Sequence, residues 1–250
     1  MPRYLLRIQY DGSDYFGWQR QNEGKTVQGC IEKGLSMILQ APIDIHGAGR
    51  TDSGVHAENQ AAHFDYNGEF SERLCPRRIN SVLPDSITID SITQVADNFH
   101  ARFDALYRQY RYQITLRPRP LLSKHYWLVH ENLNTMLIEQ SLTYIKGVHS
   151  FENFAKTSPD VNHMRCEVLH TELVRQHTDQ FYIRIRANRF LRHMVRFLVG
   201  SIIQVASGKM RLEDFHSRIS RPDIPHKSIT APAKGLILEA VEYPADLKLP

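Results

Sequence analysis

Apolar residues alternate with polar ones from the start of the chain. Leu6, Ile8 and Tyr10 fall on one face of a strand over residues 4–10, which Asp11-Gly12-Ser13 ends. The period then changes. Thr26 is placed to cap a helix on which Val27, Cys30, Ile31, Leu35 and Ile38 recur at helical spacing, and which stops before Pro42. Ile43 and Ile45 alternate into a glycine-rich loop, and Gln60, Ala62 and Phe64 mark the strand leaving it. A second helix is predicted to open at Ser71, to be interrupted early by Pro76 and to close at Pro84. Ile87, Ile89 and Ile92 predict a fourth strand.

The second half repeats this order. Tyr110, Tyr112, Ile114 and Leu116 alternate as a strand ended by Pro118 and Pro120. Asn132 or Asn134 caps a helix carrying Leu137, Ile138, Leu142 and Ile145. Residues 166–174 and 181–185 form a hairpin across His177-Thr178-Asp179-Gln180. Met194, Val195, Leu198, Val199, Ile202 and Ile203 line one face of a long helix around residues 189–204. A short helix follows, and residues 236–241 make the last strand. Each half reads βαββαβ, the ferredoxin-like order, with no clear sequence repeat between them. The expected fold is α+β: subdomains at 1–104 and 105–250, a continuous, mixed, largely antiparallel sheet of about eight strands, helices on one face and a central basic cleft. Residues 149–164 and 220–234, rich in Ser, Asn and Pro, are the expected mobile loops.

Composition narrows the class. With 250 residues, 42% hydrophobic and 23% charged, the chain has the make-up of a globular protein with a sizeable core. Cys30, Cys75 and Cys166 show no disulfide or metal-ligand spacing, which fits a reducing cytoplasm. The chain alternates like a strand from Arg3, so no leader peptide is expected, and no apolar run is long enough for a membrane span. The net charge of +4 is unevenly spread: residues 1–104 hold 10 Lys/Arg against 14 Asp/Glu, residues 105–250 hold 21 against 13. Arginines outnumber lysines 22 to 9. An arginine-rich half suits bidentate phosphate contacts, so a nucleic-acid face competes there with an ordinary solvated basic surface.

The chemistry concentrates in His46-Gly47-Ala48-Gly49-Arg50-Thr51-Asp52-Ser53-Gly54-Val55-His56-Ala57. Gly49 and Gly54 have the spacing of a phosphate-binding P-loop, but Val55 and His56 stand where Lys and Ser/Thr belong. Asp52 occupies the third-glycine place of a dinucleotide fingerprint, where a carboxylate would repel pyrophosphate. Nucleotide cofactors are therefore disfavoured. The plain alternative is an acidic turn with an Arg50–Asp52 surface pair. His46, His56 and His63 match no compact zinc pattern, so no metal is expected, and His56 is read as a structural hydrogen-bonder. On a helix over 189–204, Arg189, Arg192 and Arg196 would form one basic stripe opposite Met194, Leu198 and Ile202. Alternation puts Tyr110 and Tyr112 on one strand face, where core packing is the plain reading.

The loop resembles the GRTDxGVHA signature of the tRNA pseudouridine synthase A family, with Ser53 where Ala is the usual residue. Further stretches resemble the family in the same order. These are Tyr10-Asp11-Gly12 through Gln21 (YDGxxFxGWQxQ), Tyr110-Arg111-Tyr112 (YRY), Phe190 through Arg196 (FLxxMVR) and Gly235-Leu236-Ile237-Leu238, the closing strand. The resemblance implies the two-subdomain fold above, a homodimer acting on tRNA without cofactor or metal, and isomerisation of uridine on the 3′ side of the anticodon stem-loop. It implies Asp52 as nucleophile, Arg196 as its cationic partner, and Tyr110 as a base-stacking residue that can also move a proton. Arg50 would hold the target nucleotide out of its helix, and Leu236 or Leu238 would touch the uracil. Arg189 and Arg192 are then read as phosphate contacts, and Tyr112 as core.

Two other functions remain open on the residues. A non-catalytic RNA-binding module or RNA chaperone would use the same basic surface without needing Asp52. A carboxylate-dependent nucleoside or glycoside hydrolase would want a second carboxylate, and Glu58 is the one near Asp52 in sequence.

Overall fold

The structure, a computed structural model, describes residues 1–68, 74–156, 163–221 and 229–245. Among them the chain is α+β, with mixed, largely antiparallel pairing. Ten strands appear where about eight were expected. In chain order they are β1 (Arg3–Tyr10), β2 (His46–Gly47), β3 (His56–Asp65), β4 (Ile87–Val95), β5 (Tyr107–Thr115), β6 (Trp127–Leu128), β7 (Gly147–Ser150), β8 (Arg165–His177), β9 (Gln180–Ala187) and β10 (Leu236–Glu242). The helices are α1 (Val27–Leu39), α2 (Pro76–Asn80), α3 (Thr135–Tyr144), α4 (Met194–Ala206) and α5 (Leu212–Ser220). No helix among the described residues is long and apolar enough to cross a membrane. The chain forms two compact units: Met1–Leu106 with the residues from Leu238 on, and Tyr107–Ile237.

In the first unit β1 lies between β3 and β4, antiparallel to both, and β2 pairs with β3. Thr26 caps α1 as expected, its hydroxyl accepting from the Gly29 N–H at 3.3 Å. Leu6, Ile8, Tyr10, Ile31, Leu35 and Phe64 are all buried in the core. Ile43 and Ile45 are buried too, yet the regular strand there is only the two residues of β2. The spacing of Ile87, Ile89 and Ile92 has a physical cause. Ile8 pairs with Ile89 and Arg7 with Ser91, so Asp90 is a bulge, which sets the half-buried Ile92 opposite Leu6. The expected helix start at Ser71 lies outside the described residues. Pro76 does not interrupt a helix: it begins α2, where a missing N–H costs nothing.

In the second unit β5, β9, β8 and β7 follow one another antiparallel, and β6 adds the parallel pair beside β5. The β8–β9 hairpin turns between His177 and Gln180 as expected. Asn134, not Asn132, caps α3, accepting from the Met136 N–H at 3.0 Å. The six apolar residues expected on the long helix are buried on α4. That helix begins at Met194, five residues later than the pattern suggested. Strand β7 runs into a stretch expected to be loop, at His149 and Ser150. Of the expected mobile loops, residues 157–162 and 222–228 lie outside the described residues.

One buried group links the first unit's stability to pH. His63 on β3 is 2% exposed, and its Nδ1 accepts from the Ala101 N–H at 3.2 Å. Its ring stacks on His46 (centroids 5.1 Å apart) and meets His100 (4.7 Å). Burial first, then the charges of Arg3, His100 and His46, lower its pKa from 6.5 to about 4, against a smaller opposing effect of Asp65. His63 therefore charges more readily in the unfolded chain. Its contribution is complete above pH 6.5 and is lost as pH falls toward 4. Lowering pH from 7 to 5 should cost on the order of 1–2 kcal/mol in urea unfolding. In His63→Asn, whose side chain can still accept from Ala101, this part of the pH dependence should vanish.

Candidate active site

Asp52 lies in the loop between β2 and β3, and the sequence folds that loop by backbone contacts. Val55 N–H donates to the Asp52 carbonyl at 3.2 Å, closing a four-residue turn. Its third residue, Gly54, has φ of 76°, a left-handed angle that glycine takes without steric cost. Asp52 opens the turn and is half-buried, while Arg50 is exposed two residues earlier.

The segment Tyr15-Phe16-Gly17-Trp18 fastens this turn from outside. Trp18 N–H donates to the Thr51 carbonyl (3.1 Å), and the Tyr15 carbonyl accepts from Ser53 Oγ (3.1 Å) and from Gly54 N–H (3.4 Å). Gly17, at φ 91°, packs its α-carbon on the Thr51–Asp52 peptide: a β-carbon there would stand 2.7 Å from the Thr51 oxygen. Gly47 meets the Trp18 indole and Gly12 meets the Val55 carbonyl just as closely. Three side chains add to the frame. Tyr10 OH pairs with Thr51 Oγ1 at 2.8 Å, Gln60 Nε2 donates to the Gly49 carbonyl at 3.0 Å, and His56 Nδ1 accepts from Gly12 N–H at 3.1 Å. His56 is thus a structural hydrogen-bonder. Burial pushes the Tyr10 phenol far up, so it remains a neutral hydroxyl.

A buried carboxylate anchors the frame to α1. Glu32 accepts from Ile45 N–H (3.1 Å), Gln28 Nε2 (2.9 Å) and Arg20 Nη1 (2.8 Å). Gln28 in turn accepts from Arg20 N–H and donates to the Ile45 carbonyl. One network therefore joins the aromatic segment, α1 and the chain entering β2. In the amino-acid pattern it shows only as Gln28 and Glu32, two of the polar residues on α1.

The second unit carries the other candidates except Leu238, which belongs to the first. Tyr110 on β5 is buried, its ring edge-on to Phe190 with centroids 5.0 Å apart. Phe190 belongs to a quoted motif but had no assigned role; its aromatic ring was the available signal. Tyr112 is fully buried, as expected of core, and its hydroxyl donates to the Pro232 carbonyl at 2.7 Å. Burial raises that phenol's pKa, and the charge of Arg196 opposes the rise. Arg196 stands in the first turn of α4; its Nε donates to the Ala231 carbonyl at 2.9 Å, and its own carbonyl accepts from Ala231 N–H at 3.1 Å.

The basic stripe is corrected. Residues 188–193 are irregular, and His193 caps α4 in a left-handed conformation at φ 64°. Arg189 and Arg192 therefore precede the helix and share no face with Arg196. Arg189 is half-buried beside Cys166, whose thiol burial pushes up to about 11 while Arg189 draws it down. Arg192 is exposed, its carbonyl accepting from Lys156 N–H at 3.0 Å. Leu236 and Leu238 on β10 are both buried, so burial does not choose between them.

Comparison with known proteins gives one answer. The family model described as tRNA pseudouridine synthase matches residues 7–104 and 142–244. A Bacteroides fragilis protein named tRNA pseudouridine synthase A is 35% identical over 248 residues, covering 99% of this chain and 98% of its own. Proteins of the same name from Acinetobacter baumannii and Shewanella pealeana are 38% and 40% identical, covering 100% and 99% of this chain and 95% of each relative.

The frame makes a graded prediction for urea unfolding. Gly17→Ala forces a β-carbon against the Thr51 carbonyl at a left-handed angle, and should destabilise by about 1–3 kcal/mol. Ser53→Ala removes a single hydroxyl donor and should cost about 1 kcal/mol or less.

Proposed function

The chain belongs to the tRNA pseudouridine synthase family, and from that premise we propose that it converts uridine to pseudouridine on the 3′ side of the tRNA anticodon stem-loop, with Asp52 as nucleophile. The observation that carries this reading is the match of Gly49 through Ala57 to the family signature, on a loop held at its backbone from three directions. A nucleophile that must meet one sugar carbon or one ring carbon gains most from being fixed before substrate arrives.

The reaction rearranges bonds within one nucleotide. The bond between uracil N1 and ribose C1′ breaks, the base turns, and C5 bonds to C1′. The proton on C5 leaves and N1 gains one, so the atoms and electrons of substrate and product are the same. Asp52 holds the intermediate while the base turns. Arg196 is the cationic partner of Asp52, and Tyr110 stacks on the base and moves a proton. Arg50, exposed on the same rigid loop, fills the space left by the extruded nucleotide. Leu238 or Leu236 packs on the uracil. Arg189 and Arg192 meet phosphates, acting from the segment before α4 rather than from a helical stripe. The working form is a cytoplasmic homodimer.

Asp52→Asn keeps the side chain's size and removes its charge. In single-turnover assays with excess enzyme it should form no pseudouridine, while tRNA affinity stays level or rises. Wild-type activity with an equally active Asp52→Asn variant would remove Asp52 from the chemistry. An inactive wild type that binds RNA, or one that releases free base, would instead favour the binding-module or hydrolase reading. Tyr110→Phe should keep affinity and lose turnover on the order of 10²-fold if the hydroxyl moves a proton. Neutralising Arg189 or Arg192 should lower the slope of log affinity against log salt by about one; unchanged slopes would place both off the RNA.

A further inference from the structure

The segment that braces Asp52 carries one ring its bracing does not use. In Tyr15-Phe16-Gly17-Trp18, the side chains of Tyr15 and Trp18 are 2% and 1% exposed, whereas Phe16 is 61% exposed. Tyr15 is pinned by its hydroxyl to Ser86 Oγ at 2.7 Å, and Trp18 by its packing on Gly47. Two aromatics turn inward as anchors and the third turns outward.

Phe16 is also held in place. Its N–H donates to the Lys25 carbonyl at 2.9 Å, and its carbonyl accepts from Gln21 Nε2 at 3.0 Å. Gly24, at φ 90°, lies against the ring; a β-carbon there would come within 2.7 Å of its Cδ2. The backbone of Gly24 thus covers part of the ring and leaves most of it to solvent. Single exposed apolar side chains are common and call for no function by themselves. This one differs by its address. The residue before it accepts two hydrogen bonds from the Asp52 turn, and the residue after it packs on the Thr51–Asp52 peptide. A cation lies beside the same segment, Lys25 Nζ being 4.8 Å from the Tyr15 ring centre, and Arg50 is exposed on the Asp52 loop.

We propose that Phe16 is a stacking platform for an unpaired base of the tRNA substrate beside the nucleotide presented to Asp52. This rests on the tRNA reading above. Extruding a uridine breaks the stacking of its neighbours, and a fixed aromatic surface replaces part of what is lost, with cations alongside to meet the phosphates. A phenyl ring carries no hydrogen-bonding edge, so the platform accepts any base and adds affinity without reading sequence.

The test uses Phe16→Leu and Phe16→Trp in the full-length protein, with tRNA affinity, single-turnover pseudouridine formation and sedimentation measured on each. Phe16→Leu keeps apolar bulk and loses the ring face; its tRNA affinity should fall roughly tenfold with an unchanged unfolding midpoint. Phe16→Trp should restore wild-type affinity. Its added indole emission, measured over the wild-type signal of Trp18 and Trp127, should be quenched when tRNA saturates the protein. Wild-type affinity and rate in Phe16→Leu, or unquenched emission in Phe16→Trp at saturation, would overturn the proposal. A shift in oligomeric state at unchanged tRNA affinity would also overturn it, assigning the ring to a protein contact. Should the wild type form no pseudouridine while Phe16→Leu still weakens tRNA binding, the catalytic reading fails and the platform stands. The reverse pattern, an active wild type indifferent to the ring, removes the platform alone.

Discussion

The contact between Gly17 and the Thr51–Asp52 peptide sets the terms for the rest of the first unit. It is a contact of backbone with backbone, so it fixes where the turn lies without relying on a side-chain rotamer. The Trp18–Thr51 and Gly54–Tyr15 hydrogen bonds then hold position and orientation together. Everything behind that contact can be read as support. Trp18 needs Gly47 to be small, and the aromatic segment needs the start of α1, whose Val27 and Gln28 amides donate to the Gly17 and Trp18 carbonyls.

Glu32 shows what such support costs. A buried carboxylate gives up hydration worth several kcal/mol, and recovers it only if its oxygens find donors. Here a backbone amide, a side-chain amide and a guanidinium do so, and they come from three different stretches of chain. The same charge placed among apolar residues alone would unfold the unit. Placed among these donors, it makes the relative position of α1, the aromatic segment and the approach to β2 a single arrangement. Net stability gain is small in such networks; the gain is in uniqueness.

Much of this was legible in the sequence. Periodicity located α1, α3, β1, β3, β4, β5 and the β8–β9 hairpin, because each presents an apolar face long enough to show its period. The misses share a cause. Strands β2, β6 and β7 have two to four residues, too few for alternation to register. The bulge at Asp90 appeared only as an unexplained three-residue step between isoleucines. The start of α4 was set too early because Arg189, Phe190 and Arg192 carry no helix breaker; what ends their helical continuation is the left-handed His193, a backbone state that no residue type there announces. At the candidate site the Asp52 loop was visible as a motif, whereas its frame was not. The hydrogen bonds that Trp18 and Gln60 donate to backbone oxygens, and those that the Tyr15 carbonyl accepts, depend on the fold having already brought distant segments together. Likewise the histidines His46 and His63 are visible in the sequence, but not that they stack on each other with His100 edge-on to His63.

The close approaches at Gly12, Gly17 and Gly47 divide the neighbourhood of Asp52 into positions that can vary and positions that cannot. Where the α-carbon itself is the contact, any side chain costs stability, so selection works against change there. The outward-facing side chains of Phe16 and Arg50 make no such demand on the frame. Under the proposed function, contacts to RNA can therefore change at those two side chains over evolutionary time while the backbone around the carboxylate is kept. The architecture separates the inheritance of chemistry from the inheritance of preference.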